Sequence, residues 1–211
     1  MTKSTAGLRS LGVLAVAGAA AAALAAPASA AVVPVNLDCQ ANAPIVGPQQ
    51  ANLTQGTDVT APATVAPGAA FDIVVDPAPN TVPATVAGYK LKQVKNFALK
   101  LPVPANSTYV GSALSGGSGL GSAAPTISVT GGVATLSFAG PIAGGAAFEL
   151  PTITFHLTAG TSGTIETKLA GTSYSDPGLT FTSVVTQIFD ISAPTACFPN
   201  PSPVFTTTTI G

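Results

Sequence analysis

Little in this 211-residue chain suits acid–base or metal chemistry. It has one histidine, His156, two glutamates, Glu149 and Glu166, two cysteines and one arginine, Arg9, and only 7% of its residues are charged. A protein zinc site conventionally takes three or four ligands, so one imidazole with no acid close in sequence falls short of one. A Ser-His-Asp triad would have to use His156 with a nucleophile on a sharp turn. The glycine segment lacks the G-x-S-x-G pattern, because Gly116-Gly117-Ser118-Gly119 is followed by Leu120. No Lys-Ser or Lys-Thr follows those glycines, which removes the mechanism of a phosphate loop as well. Glycoside chemistry needs two acids a few ångströms apart. Glu149 and Glu166 could meet across a hairpin joining residues 147–158 and 163–172, but Lys168 lies two residues after Glu166 and offers it an ordinary charge pair. Catalytic, cofactor-binding and metal-ligating residues are therefore all expected to be absent, and the protein is not expected to be an enzyme.

Helix signals are also missing after the N-terminal segment. Prolines recur at Pro62, Pro67, Pro77, Pro102, Pro104, Pro125, Pro141, Pro151 and Pro177, leaving few windows for a helix of normal length.

What is present begins with an export pattern. Lys3 and Arg9 precede an apolar run from Leu11 to Ala26, and Pro27-Ala28-Ser29-Ala30 ends it with small residues suited to signal peptidase. Residues 1–30 are expected to be a signal peptide and Ala31 the mature terminus, in the secreted or envelope-associated fraction. The competing reading, a membrane anchor, would need about 20 strongly apolar residues, and no later segment is long enough to span. Cys39 and Cys197 then lie in an oxidising compartment and are expected to form one disulfide. The mature chain keeps five lysines against eight acids, a formal charge of −3, which argues against nucleic acid as a partner.

The body, residues 31–198, reads as one strand-rich domain. Phe71, Ile73 and Val75 alternate with Asp72, Val74 and Asp76, and Ile153, Phe155 and Leu157 alternate with polar residues that include His156. Thr126–Thr130, Gly131-Gly132 and Val133–Phe138 spell a hairpin with a two-residue turn. Further strands are expected at 32–37, 57–65, 97–101, 107–114, 147–158, 163–172 and 179–191. The pattern predicts an all-β, immunoglobulin-like two-sheet sandwich, with a closed barrel as the alternative. Residues 199–211, rich in Pro and Thr, are expected to form a flexible or edge-lying tail, with a last strand over Val204–Ile210 as the alternative. Asp176-Pro177-Gly178 has turn chemistry; a calcium site there would need six or more oxygens with one carboxylate nearby. Lys90, Lys92, Lys95 and Lys100 read either as a small basic patch for an anionic envelope component or as protection of an edge strand. The glycine segment 115–121 reads as a flexible or irregular loop.

Three segments, Val103–Tyr109, Ser115–Gly121 and Gly171-Thr172-Ser173-Tyr174-Ser175-Asp176-Pro177-Gly178, resemble stretches of small secreted proteins of mycolic-acid-containing actinobacteria, a group without an assigned activity. The resemblance implies export and a β fold, and it brings no catalytic residue. The function expected is a non-catalytic module of the cell envelope or extracellular space that binds or packs against surface components. The alternative is a carrier of an apolar ligand such as a lipid, motivated by 46% hydrophobic residues and little charge. A hydrolase is third. A filled core would favour the module, and a lined cavity of several hundred cubic ångströms the carrier.

Overall fold

The computed structural model describes residues 27–29, 31–44 and 47–211; the expected signal peptide lies outside these residues except for Pro27–Ser29. The first strands are β1 (Pro27–Ser29), β2 (Val33–Ala43), β3 (Gly47–Pro62), β4 (Thr64–Val65), β5 (Ala70–Pro77), β6 (Asn80–Thr81) and β7 (Thr85–Val86). The middle of the chain forms β8 (Tyr89–Pro102), β9 (Ser107–Ser115), β10 (Thr126–Thr130), β11 (Val133–Phe138), β12 (Ile142–Ala143) and β13 (Ala147–Phe148). It ends with β14 (Thr152–Ala159), β15 (Gly163–Thr167), β16 (Leu179–Thr186), β17 (Asp190–Pro199) and β18 (Thr206–Ile210). Among the described residues there is no helix, and the all-β expectation holds.

Ten strands follow one another in a large antiparallel sheet in the order β10-β11-β8-β16-β17-β2-β3-β5-β14-β9, with β1, β7 and β12 paired at its flanks. The end strands β9 and β10 come into contact, so the sheet curls almost into a barrel. Its two halves face each other like the layers of a sandwich, and the two architectures expected from sequence meet in one continuous sheet. Ile73 and Val75 of β5, Leu99 and Leu101 of β8, Ala134 and Leu136 of β11, and Ile153, Phe155 and Leu157 of β14 point into one core. Their period-two alternation is what allows one face of each strand to leave water, and each large side chain so buried contributes roughly 1.5–3 kcal/mol. The hairpin β10–β11 has the expected register, Thr130 opposite Val133. Gly131 and Gly132 both take positive φ there (58° and 75°), as a tight hairpin turn requires.

Several boundaries differ from expectation. The strand expected at 57–65 begins ten residues earlier, because polar residues such as Gln49, Gln50, Asn52 and Thr54 carry the β3 ladder without apolar alternation. The 147–158 strand is interrupted at Leu150-Pro151, the 163–172 strand stops at Thr167, and the 179–191 strand is split by a turn at 187–189. The end of the chain departs from a flexible or edge-lying tail and takes the alternative. Strand β18 lies between β15, antiparallel, and β4, parallel, in a second, three-stranded sheet. Thr208 is 0% exposed there, its Oγ1 donating to the Pro62 carbonyl at 2.7 Å, and Ile210 is buried beside it. A hydroxyl that donates can be buried, so a threonine run serves as an inner strand.

The reading of the lysine cluster as edge protection is overturned. Strand β8 is interior, paired with β16 on one side and with β11, β12 and β7 on the other. Apart from β7, these partners come from distant sequence, so an edge could not be assigned locally.

Candidate functional site

Strand β3 is twice as long as its neighbour β5. Only Thr57–Thr60 pair with β5, so on that side residues 47–56 have no strand partner among the described residues. The inward residues of this overhang, Gln49, Ala51, Leu53 and Gln55, are half-buried and alternate with exposed Pro48, Gln50, Asn52 and Thr54. Behind them the sheet does not close on itself. A cavity of about 290 Å³ remains, with Leu37 of β2, Leu53 of β3, Phe97 and Leu99 of β8, Phe148 of β13 and Phe181 of β16 in its wall.

No ionisable side chain lines this space. Several of its polar groups are occupied by the protein. The Gln55 amide donates to the Gly56 and Ala78 carbonyls at 2.7 Å, the Asn80 amide donates to the Thr54 carbonyl and to Gln55 Oε1 at 2.9 Å, and the Ser183 and Thr195 hydroxyls share a 3.0 Å bond. Polar atoms satisfied in this way ask nothing of a ligand, and most of the remaining wall is hydrocarbon and aromatic. Cys39 also reaches the cavity. It stands directly opposite Cys197 in the β2–β17 ladder, and the two form the expected disulfide, with Cα atoms 4.1 Å apart. The bridge fixes the wall against sliding of β2 on β17.

The residues weighed for chemistry lie elsewhere. His156 faces outward, as expected, and its Nδ1 lies 2.8 Å from Asp72 Oδ1, contributed by β5 at the opposite register position. This partner is distant in sequence, and both side chains are about half exposed. On the other flank His156 faces Gly111 of β9, which brings no nucleophile. The expected hairpin between Glu149 and Glu166 does not form. Strand β14 pairs with β5 and β9, whereas β15 crosses to β18. Glu166 pairs with Lys168 at 3.6 Å. Glu149 exchanges backbone hydrogen bonds with Ser118, each 2.9 Å, which pins the glycine segment and buries Leu120. That segment is irregular, as expected, and it is held in place. Asp176 closes its turn by accepting from the Thr172 hydroxyl at 3.0 Å, and Gly171 and Gly178 at the ends of that loop approach so closely that a Cβ on Gly171 would stand 2.2 Å from the Gly178 nitrogen. Among the described residues, no three His, Cys, Asp or Glu side chains gather as a metal site would require.

The cavity was missed by sequence reasoning about sites. Its only signal was the polar run 48–55 in front of an alternating strand. One perturbed carboxylate stands at the same end of the molecule: Asp190 is held below the ordinary carboxylate pKa by its hydrogen bonds from Lys92 and Thr186.

No protein-family model matches this sequence, and no curated protein matches it. The fold is similar to the crystal structure of a protein from Corynebacterium diphtheriae that is membrane anchored by its description, with a TM-score of 0.58 and 20% sequence identity. The match covers 86% of this chain and 38% of that one, so the chain spans well under half of its structural neighbour. At this identity the likeness concerns the fold. Its source is a mycolic-acid-containing actinobacterium, the group named by the sequence resemblance. No helix among the described residues is long and apolar enough to cross a membrane.

Proposed function

We propose that this chain is a non-catalytic module of the cell envelope or extracellular space that carries an apolar ligand such as a lipid chain. The observation behind the proposal is the cavity of about 290 Å³, which has a mostly apolar wall, several internally satisfied polar groups and no ionisable residue. Its volume sits at the low end of the ~300–1,000 Å³ typical of small-molecule sites, which suits one acyl chain or a compact apolar molecule. The disulfide and the membrane-anchored neighbour support the extracytoplasmic setting. The outward His156–Asp72 pair, facing Gly111, gives a hydrolase no comparable support.

Native mass spectrometry of protein purified from its own secretions, followed by titration with a fluorescent fatty acid, tests the reading. The wild type should carry or take up one apolar ligand. Ala51→Phe, at a half-buried wall position that leaves room for a larger side chain, should fill the cavity and reduce uptake on the order of tenfold with the melting temperature retained. A ligand-free protein that takes up no fatty acid, or equal uptake by the variant, would leave a surface-packing module as the better account.

A further inference from the structure

We infer that the end of the molecule formed by the β16–β17 turn and the adjoining β7–β8 turn is a docking edge for an anionic lipid surface. At the tip of the first turn Ile188 is 97% exposed and Phe189 59% exposed. They are not on a loose loop. The Gln187 backbone N–H donates to the Phe189 carbonyl, the Thr186 hydroxyl donates to Asp190 at 2.9 Å, and Lys92 pairs with Asp190 from the neighbouring strand. This polar collar holds two large apolar side chains in water, where they gain nothing from burial.

The charge behind them has the matching sign. Thr186 stands opposite Lys90 on β8, and Lys90 in turn faces Thr85 across the β7–β8 hairpin, so the two turns sit side by side. Lys90 is exposed and has no ion-pair partner among the described residues. At about 3.3 Å per residue it lies roughly 7 Å behind Ile188, the depth that separates acyl chains from headgroup phosphates when side chains insert to ~5–10 Å. Lys92 is taken up by Asp190, and Lys95 and Lys100 lie further along the strand, Lys100 about 33 Å from Lys90 at ~3.3 Å per residue, so Lys90 supplies the charge at this edge. With edge protection excluded by the interior position of β8, Lys90 has no ion pair among the described residues that demands its sign.

The apolar area is also too small for a protein partner. A specific interface buries about 800 Å² on each side, and two projecting side chains supply only a fraction of that. A bilayer needs only a few inserted side chains assisted by lysines. The edge also neighbours the cavity, whose wall includes Val86 and Leu91 of the same hairpin. That link rests on the carrier reading; the docking itself does not.

Disulfide-intact protein should be sedimented with sucrose-loaded vesicles of phosphatidylglycerol and phosphatidylcholine, and with vesicles of phosphatidylcholine alone. The wild type should bind the anionic vesicles more tightly and lose binding as salt rises. Ile188→Ser with Phe189→Ser should weaken binding on the order of tenfold or more, because the inserted hydrocarbon is gone. Lys90→Gln should weaken it about fivefold on anionic vesicles alone. Unchanged melting temperatures will show that the variants are folded, as expected of side chains in water. Fatty-acid uptake measured without vesicles separates the two readings. Uptake retained by the tip variant while vesicle binding falls supports the docking edge, and absent uptake with intact vesicle binding sinks the carrier alone. No binding by the wild type, equal binding by the tip variant, or a dimer in ultracentrifugation that the tip variant dissolves would overturn the docking edge.

Discussion

The two halves of the interior are built from the same alternating strands and end up differently. Around Phe155, Ile153 and Leu157 the core is filled, because β14 is flanked on both sides, by β5 and by β9. Around Leu53, Phe97 and Phe181 it is hollow, because β3 runs past the end of β5 and short strands replace a long neighbour. Hydrophobic composition therefore does not decide whether a β-sheet interior closes. The length of the neighbouring strand does.

Severing the disulfide should have the largest effect. The bridge closes a loop of 158 residues, and its loss is expected to cost on the order of 5 kcal/mol at most in the chain-entropy model. Cys39→Ser with Cys197→Ser should lower the melting temperature steeply while the far-ultraviolet strand signature survives. An unchanged melting temperature would mean that β2 and β17 need no clamp beside the cavity. The sharpest contrast comes from one substitution made in both halves. Leu157→Ala, in the filled half, should destabilise by about 2–5 kcal/mol in chemical denaturation. Leu53→Ala, already against empty space, should cost about 1 kcal/mol. Equal costs would erase the distinction between the halves. The smallest effect lies at the hollow end, outside the core. Asp190 has its pKa depressed by Lys92 and Thr186, so its contribution is present above the ordinary carboxylate value and is lost as pH falls through the depressed one. Lys92→Gln should raise the Asp190 pKa in an NMR titration, and an unmoved titration would remove the collar's main contact.

The hairpin at 126–138 and the face of β14 were legible in the sequence, since Gly131-Gly132 and the Ile153, Phe155, Leu157 spacing are local signals. The Cys39–Cys197 bond followed from export and count. The rest depends on neighbours that no local window contains. Strand β8 looked like an edge until β16 and β11 covered it, and His156 looked partnerless until β5 brought Asp72 beside it. The cavity is the extreme case, an absence produced by the unequal lengths of β3 and β5. Residues 199–211 misled for another reason: threonine carries no burial signal, and only the Pro62 carbonyl reveals why Thr208 is inside.

Strand β18 also sets an order of events. In the second sheet β4 and β15 are joined only through it, so the segments near residues 64 and 165 have no common partner until residues 206–210 have been synthesised. A ribosome adds about 5–20 residues per second, so β4 waits several seconds with its pairing groups open while the chain between them is made.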